Sequence, residues 1–407
     1  MELSFTSLAV VAAAGFVAPL AIELVPRVRL PNVVLELVLG ILVGPSVLGW
    51  AHADEPVTVM SLIGLSFLLL IAGLEVDYER LRGRLLEVTG LGWAASVGLG
   101  LAAGFALQAA GLVKSPLLIA IMFSATGLGI VIAVLKDADQ VETAFGQLVI
   151  AGSSIAEVGT IILLTLFFSG ESSSVGAKLV LLGLFGVLGF AVLLAAVRVG
   201  RSMRVMQALF RLQDTTAQIR VRGAFVLLAV FVVLAEKFGL EAILGAFLAG
   251  AILKFVDRDE AMTHPFFRGK LEAAGFGIFV PFFFVTSGVN YEAGALFGSA
   301  STLARVPLFL AVLLAVRGLP ALLYRPLATG RETSAAALLQ ATSVGFLVVA
   351  SRIGQDMGLI SGANAAAVIA AGLLSVLLFP LGALVLLRCS GAPAAEGLEK
   401  GALGLRS

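Results

Sequence analysis

SATGLGIVIAVL, residues 124–135, and QATSVGFLVVAS, residues 340–351, share one pattern. Each runs Ala-Thr, a small residue (Gly127 or Ser343), an aliphatic residue, a glycine (Gly129 or Gly345) and then an apolar stretch. Both lie inside long apolar blocks. Gly127, Gly129 and Gly345 permit backbone that an ordinary helix interior disfavours. Thr126, Thr342 and Ser343 offer hydroxyls to the backbone groups that such a break frees. Paired interruptions in two halves of a membrane chain point to an inverted repeat with a binding site where the broken helices cross.

The blocks around these motifs decide the class. Of 407 residues, 59% are hydrophobic and 13% charged, against roughly 25% charge in soluble domains. Apolar runs of about 20 residues, the length that crosses a bilayer, alternate with short polar loops. We read thirteen spans: 5–24, 31–50, 57–75, 86–110, 116–135, 143–169, 176–198, 222–236, 240–254, 270–289, 300–324, 333–352 and 361–388. The chain is therefore expected to be an all-α polytopic membrane protein with inverted repeats and two interrupted, crossing helices. The two motifs lie seven spans apart, so they enter the membrane from opposite sides.

Charge placement sets the orientation. Of the 27 Lys and Arg residues, twenty-one fall in loops on one side, among them Arg80, Arg82, Arg84, Arg201, Arg204 and Arg211. Five (Lys114, Lys178, Lys237, Arg305 and Arg352) fall on the other, and Arg317 lies within a span. This bias places the N-terminus outside and the C-terminus in the cytoplasm. The first block lacks a positive n-region, Glu2 being the only charge before it, so it reads as a retained span, not a signal peptide. The longest loop, 200–218, contains MRVMQALFRLQ and reads as an amphipathic surface helix or a basic connector. Residues 390–407 read as a short cytoplasmic tail with no regulatory domain after it. The net charge of +1 and the lack of a basic tract with interleaved aromatics give no sign of nucleic-acid binding, and the single cysteine, Cys389, rules out an internal disulfide. His52 and His264 fall in loops, and no spacing suggests a resident metal, a cofactor or a nucleophile–base pair of an enzyme.

Glu157 is the only charge between Thr143 and Ser169. An acid at the centre of such a span costs about 2.5–3.5 kcal/mol on insertion scales, and acids there usually face a partner or an ion path. Ser153 and Ser154, four and three residues before it, share its helix face. A carboxylate with hydroxyls beside it, Thr126 included, suits a hard monovalent cation. Burial disfavours the bare carboxylate, so protons can compete for it. Arg317, deep in the eleventh span, needs an acidic partner or exposed carbonyls. Glu75, near the end of the third span, is one candidate partner and Glu157 another; a Glu75–Arg317 pair would tie the halves together, and the alternative is that Arg317 neutralises carbonyl ends at the crossing. Glu36 is a further mid-span acid, expected at a helix interface.

The motifs LPNVVLELVLGILVGPSVLGW (30–50), LLLIAGLEVDYERLR (68–82), SATGLGIVIAVLKD (124–137), FGQLVIAGSSIAEV (145–158), ILGAFLAGAIL (243–253) and PFFFVTSGV (281–289) together resemble the monovalent cation:proton antiporter-2 family of bacterial sodium or potassium/proton exchangers. The resemblance covers nearly the whole chain. It implies the sodium/proton antiporter fold in a homodimer in the bacterial inner membrane. Residues 1–85 and 176–299 would form a dimerisation scaffold, and 86–169 and 300–389 a mobile core. It matches Glu157 to the family's essential acid and makes Arg317 and Glu75 a core pair. The family's adjacent polar pair is here Ala156-Glu157, so the first polar group is lost; a single carboxyl implies electroneutral exchange of Na⁺ or K⁺ for H⁺. The other readings are a K⁺ efflux uniporter or channel-like path, and a non-transporting sensor of the same fold.

Overall fold

A computed structural model describes residues 5–24, 31–75, 83–168, 175–200, 218–256 and 267–388, and these are helical with no strand. The 201–217 loop, His264 and the 390–407 tail lie outside the described residues. In chain order the helices are α1 (Thr6–Leu24), α2 (Asn32–Val43), α3 (Glu55–Glu75), α4 (Gly83–Ala109), α5 (Pro116–Phe123), α6 (Leu128–Asp137), α7 (Ala144–Phe168), α8 (Val175–Gly200), α9 (Ile219–Lys237), α10 (Ala242–Val256), α11 (Phe267–Ala274), α12 (Val280–Val289), α13 (Ala293–Phe297), α14 (Ala300–Leu303), α15 (Arg305–Gly318), α16 (Gly330–Gln340), α17 (Gly345–Asp356) and α18 (Gly362–Arg388). A π turn, Gly275–Phe279, joins α11 to α12, and a 3₁₀ turn, Leu319–Tyr324, follows α15.

Each of the thirteen stretches read as spans contains helix, although 31–50 is helical only from Asn32 to Val43. Among the described residues, eight helices are long and apolar enough to cross a membrane, or nine counting the bent pair α16–α17. Thirteen crossings thus exceed what length and composition alone reach, because segments such as α2 and α10 are shorter. Helices are what the sequence permits here: hydrocarbon offers no hydrogen-bond partner, so backbone groups must pair within their own segment.

The helices pack in two groups. In the first, α2 lies on α12, and α3 on α10 and α12. These seams are backbone on backbone. A Cβ added at Gly40 would fall 2.1 Å from the Val285 carbonyl oxygen, and one at Gly288 2.1 Å from that of Leu37. Likewise Gly250 meets the Leu70 oxygen at 2.0 Å and Gly73 that of Phe247 at 2.3 Å. Small residues allow this close approach, which replaces the hydrophobic drive that lipid cannot supply. In the second group α4, α5 and α7 pack together, as do α15, α16 and α18, and α4 meets α15.

Candidate ion site

Both motifs break their helices. Residues 124–127 separate α5 from α6, and 341–344 separate α16 from α17, the latter pair bent by 40°. Local chemistry starts each first half. Ser115 caps α5, its hydroxyl accepting from the Leu118 N–H at 3.2 Å, with Pro116 at the first helical position. Thr329 and Glu332 form a capping box on α16. The two breaks then bind one another. The Gly127 N–H donates to the Thr342 carbonyl at 2.9 Å, and the Thr126 hydroxyl donates to the Gln340 carbonyl at 2.5 Å. The motif glycines do not adopt left-handed backbone: neither Gly127, Gly129 nor Gly345 has positive φ. Their use is space. A Cβ on Gly129 would lie 3.4 Å from Glu75 Oε2, and one on Gly345 3.7 Å from the Phe284 ring.

Glu157 sits at the start of α6. Its carboxylate accepts from the Leu128 N–H at 3.3 Å, at the positive end of a half-helix dipole. Its side chain is partly exposed, as is that of Glu75. Glu75 arrives at the same half-helix end from α3, beside Gly129, and its charge acts on Glu157. Two carboxylates therefore converge on the first turn of α6. On α7, Ser153 is spoken for, its hydroxyl donating to the Val149 carbonyl at 2.9 Å. The Ser154 hydroxyl is buried and has no hydrogen-bond partner among the described residues. The Ser343 hydroxyl, in the second break, is in the same condition, while Ser343 N–H donates to Ser375 Oγ at 3.2 Å. Ala156 is fully buried and leaves no polar group at that position.

Arg317 occupies the opposite electrostatic pole, and the expected pair with Glu75 is not formed. The guanidinium is 1% exposed. It donates to the Thr126 hydroxyl (2.7 Å), the Ser96 hydroxyl (3.2 Å), the Gly152 carbonyl (2.8 Å) and the Gln340 side-chain oxygen. Among the described residues, Arg268 and Lys254 lie near enough for their charge to bear on Glu75. The physical reason is a better partner set. The planar fork of Arg317 meets the Gln340 side chain at the end of α16, the Gly152 carbonyl on α7 and two hydroxyls. Thr126, expected among cation ligands, is thereby engaged twice, as donor to Gln340 and acceptor from Arg317.

Four residues of this cluster escaped the reading of the sequence. Gln340 donates to the Val149 carbonyl at 3.1 Å while its oxygen receives Arg317. Gly152 makes room: a Cβ there would fall 2.4 Å from Gln340 Nε2 and 2.6 Å from the Tyr324 hydroxyl. Ser96 and Tyr324 complete the shell. Only Gln340 carried a signal, being the one amide in the second motif. Below Glu157, Gly159 admits the Trp93 ring to within 2.4 Å of its would-be Cβ.

The broken-helix crossing thus carries an acid on the first amide of α6 and an arginine on the Gln340 side chain at the end of α16. Residues 12–389 match the family model described as sodium/hydrogen exchanger, transmembrane. The chain belongs to this family. As a sodium/hydrogen exchanger family member it is 29% identical, over 93% of its length, to the putative Na(+)/H(+) antiporter YjbQ of Bacillus subtilis. It spans 62% of that relative's length. It is 27% identical to the probable Na(+)/H(+) antiporter 3 of Methanocaldococcus jannaschii, over 90% of this chain and 92% of that one. Its fold is that of the sodium proton antiporter MjNhaP1 of Methanocaldococcus jannaschii, with a TM-score of 0.64 at 17% identity, covering 95% of this chain and 97% of the other. The family member is thus a multi-pass helical membrane protein with an antiporter fold.

Proposed function

We propose that the protein exchanges a monovalent cation, Na⁺ or K⁺, for H⁺ across the bacterial inner membrane. The observation that carries the reading is Glu157 seated on the first turn of a half-helix, partly exposed and with no cationic partner among the described residues. Such a carboxylate can hold a proton or a cation, and either occupant neutralises it. Bare, it is costly to carry through hydrocarbon, so exchange is obligatory. Ser154 supplies the free hydroxyl ligand, and Glu75 stands close enough for its charge to bear on the same occupant. With Ala156 in place of a second acid, one charge is traded for one, and the exchange is electroneutral. α4–α7 and α14–α18 (86–169 and 300–389) form the moving core. Residues 1–85 and 176–299 form the scaffold of a lipid-embedded homodimer, with the N-terminus outside.

The test is purified protein in proteoliposomes carrying an imposed pH gradient. Addition of Na⁺ or K⁺ is expected to collapse the gradient, with little response to membrane potential. Failure of both ions at every pH between about 6 and 9, the span in which a desolvated carboxyl can titrate, defeats the reading.

A further inference from the structure

The two packing groups are joined on the face that carries Lys114 and Arg305 by two consecutive residues, Tyr291 and Glu292. Tyr291 comes just after Asn290, which caps the end of α12, and its N–H donates to the Gly288 carbonyl at 3.0 Å. It is 5% exposed and bonded in both directions. Its carbonyl accepts from the Ser46 hydroxyl, in the turn after α2, at 3.0 Å. Its phenol donates to the Ala366 carbonyl of α18 at 3.0 Å. Glu292 reaches the start of the same helix: a Cβ on Gly362 would fall 2.0 Å from its Oε2. An acid over the first turn of α18 gains from the helix dipole.

These contacts are additional to what α18 needs to begin. Its first turn is already held within its own group. Ser361 Oγ accepts from the Asn364 N–H at 3.3 Å, Arg305 donates to Asn364 Oδ1 at 2.7 Å, and the Asn364 amide donates to the Leu112 carbonyl. α13, which follows Glu292, also lies along α18. Tyr291 is therefore the joint, with Ser46 on one side of it and α18 on the other.

We propose that Tyr291 and Glu292 form a latch holding α18 against the α2–α12 group, and that opening it is a step of ion exchange. This rests on the antiport reading above. A latch stabilises the latched state alone, so removing one of its hydrogen bonds lowers the barrier to leaving that state. Tyr291→Phe keeps the ring and deletes the bond to Ala366; Glu292→Gln removes the charge over Gly362. Each is expected to raise exchange turnover in proteoliposomes roughly 2- to 10-fold, the worth of one neutral hydrogen bond. Hydrogen–deuterium exchange on the same full-length proteins is expected to accelerate at both 44–48 and 362–366, with other helices unchanged. Unchanged or slower turnover in both variants, with protection elsewhere intact, overturns the latch and leaves a plain structural contact. Wild type that moves no ion sinks the antiport reading instead. The latch then stands or falls on whether Tyr291→Phe loosens both segments together, and loosening of 362–366 alone overturns it.

Discussion

At the scale of single residues, one pole of the crossing is Glu157 on the Leu128 N–H and the other is Arg317 among oxygen acceptors. Glu157→Gln is expected to reduce cation-driven proton movement in proteoliposomes to the level of empty vesicles, because an amide takes neither occupant. The two serines separate. Ser154 has no partner to lose, so Ser154→Ala is expected to raise the KM for the cation about 3- to 10-fold with little loss of stability, the worth of one good ligand. Ser153→Ala deletes only a bond to the Val149 carbonyl on its own helix, and cation KM is expected to stay within about twofold of wild type. Arg317→Leu leaves the Gln340 side-chain oxygen without its donor and takes one bond each from the Gly152 carbonyl and the Thr126 and Ser96 hydroxyls, although the two hydroxyls keep their backbone acceptors. Unsatisfied buried groups cost about 1–3 kcal/mol each, and a large drop in thermal unfolding temperature in detergent is expected. An unshifted melting curve contradicts the assignment of Arg317 as the clamp of the crossing.

At the scale of elements, the sequence pointed to both breaks, although of the expected break residues Gly129 and Gly345 lie inside α6 and α17. Ala-Thr-Gly-Leu-Gly and Ala-Thr-Ser-Val-Gly mark where α5 gives way to α6 and α16 to α17. What was not legible is which side chains meet there. The Glu75–Arg317 pairing failed because two opposite charges in apolar spans look like partners in one dimension. The chain instead had neutral acceptors for Arg317, scattered over Ser96, Thr126, Gly152 and Gln340, that no spacing connects. Gly152 shows the limit most plainly, since its importance is the volume it leaves for Gln340 and Tyr324. Gly152→Ala is expected to push the Gln340 amide off the Val149 carbonyl. The measurement is unfolding temperature together with exchange rate: both are expected to fall, and a variant indistinguishable from wild type in both counts against this shell. The Thr329/Glu332 capping box and the Ser115-Pro116 start, which act within one turn, went unread although their signals are local.

For the molecule as a whole, apolar periodicity made the all-helical membrane class plain, and short loops implied that neighbours in sequence pack together. The division into scaffold and core follows from the resemblance and is now a proposal with a packing pattern beneath it. The electroneutral stoichiometry belongs to this scale as well, since it concerns net charge moved per cycle. Ala156→Asp puts a second carboxyl beside Glu157 at a fully buried position. The exchange it supports is expected to become sensitive to an imposed membrane potential, measured as a change in rate when valinomycin clamps the voltage. Continued indifference to voltage in an active variant argues that residue 156 does not set the stoichiometry.

The glycine seams of α2 with α12 and of α3 with α10 carry a mechanical corollary. A joint made of main chain on main chain has no rotamers to exchange, so it cannot yield by small adjustments and either stays shut or comes apart. Compliance must then reside where long side chains meet, as where Glu75, at the end of α3, reaches the first turn of α6 beside Gly129.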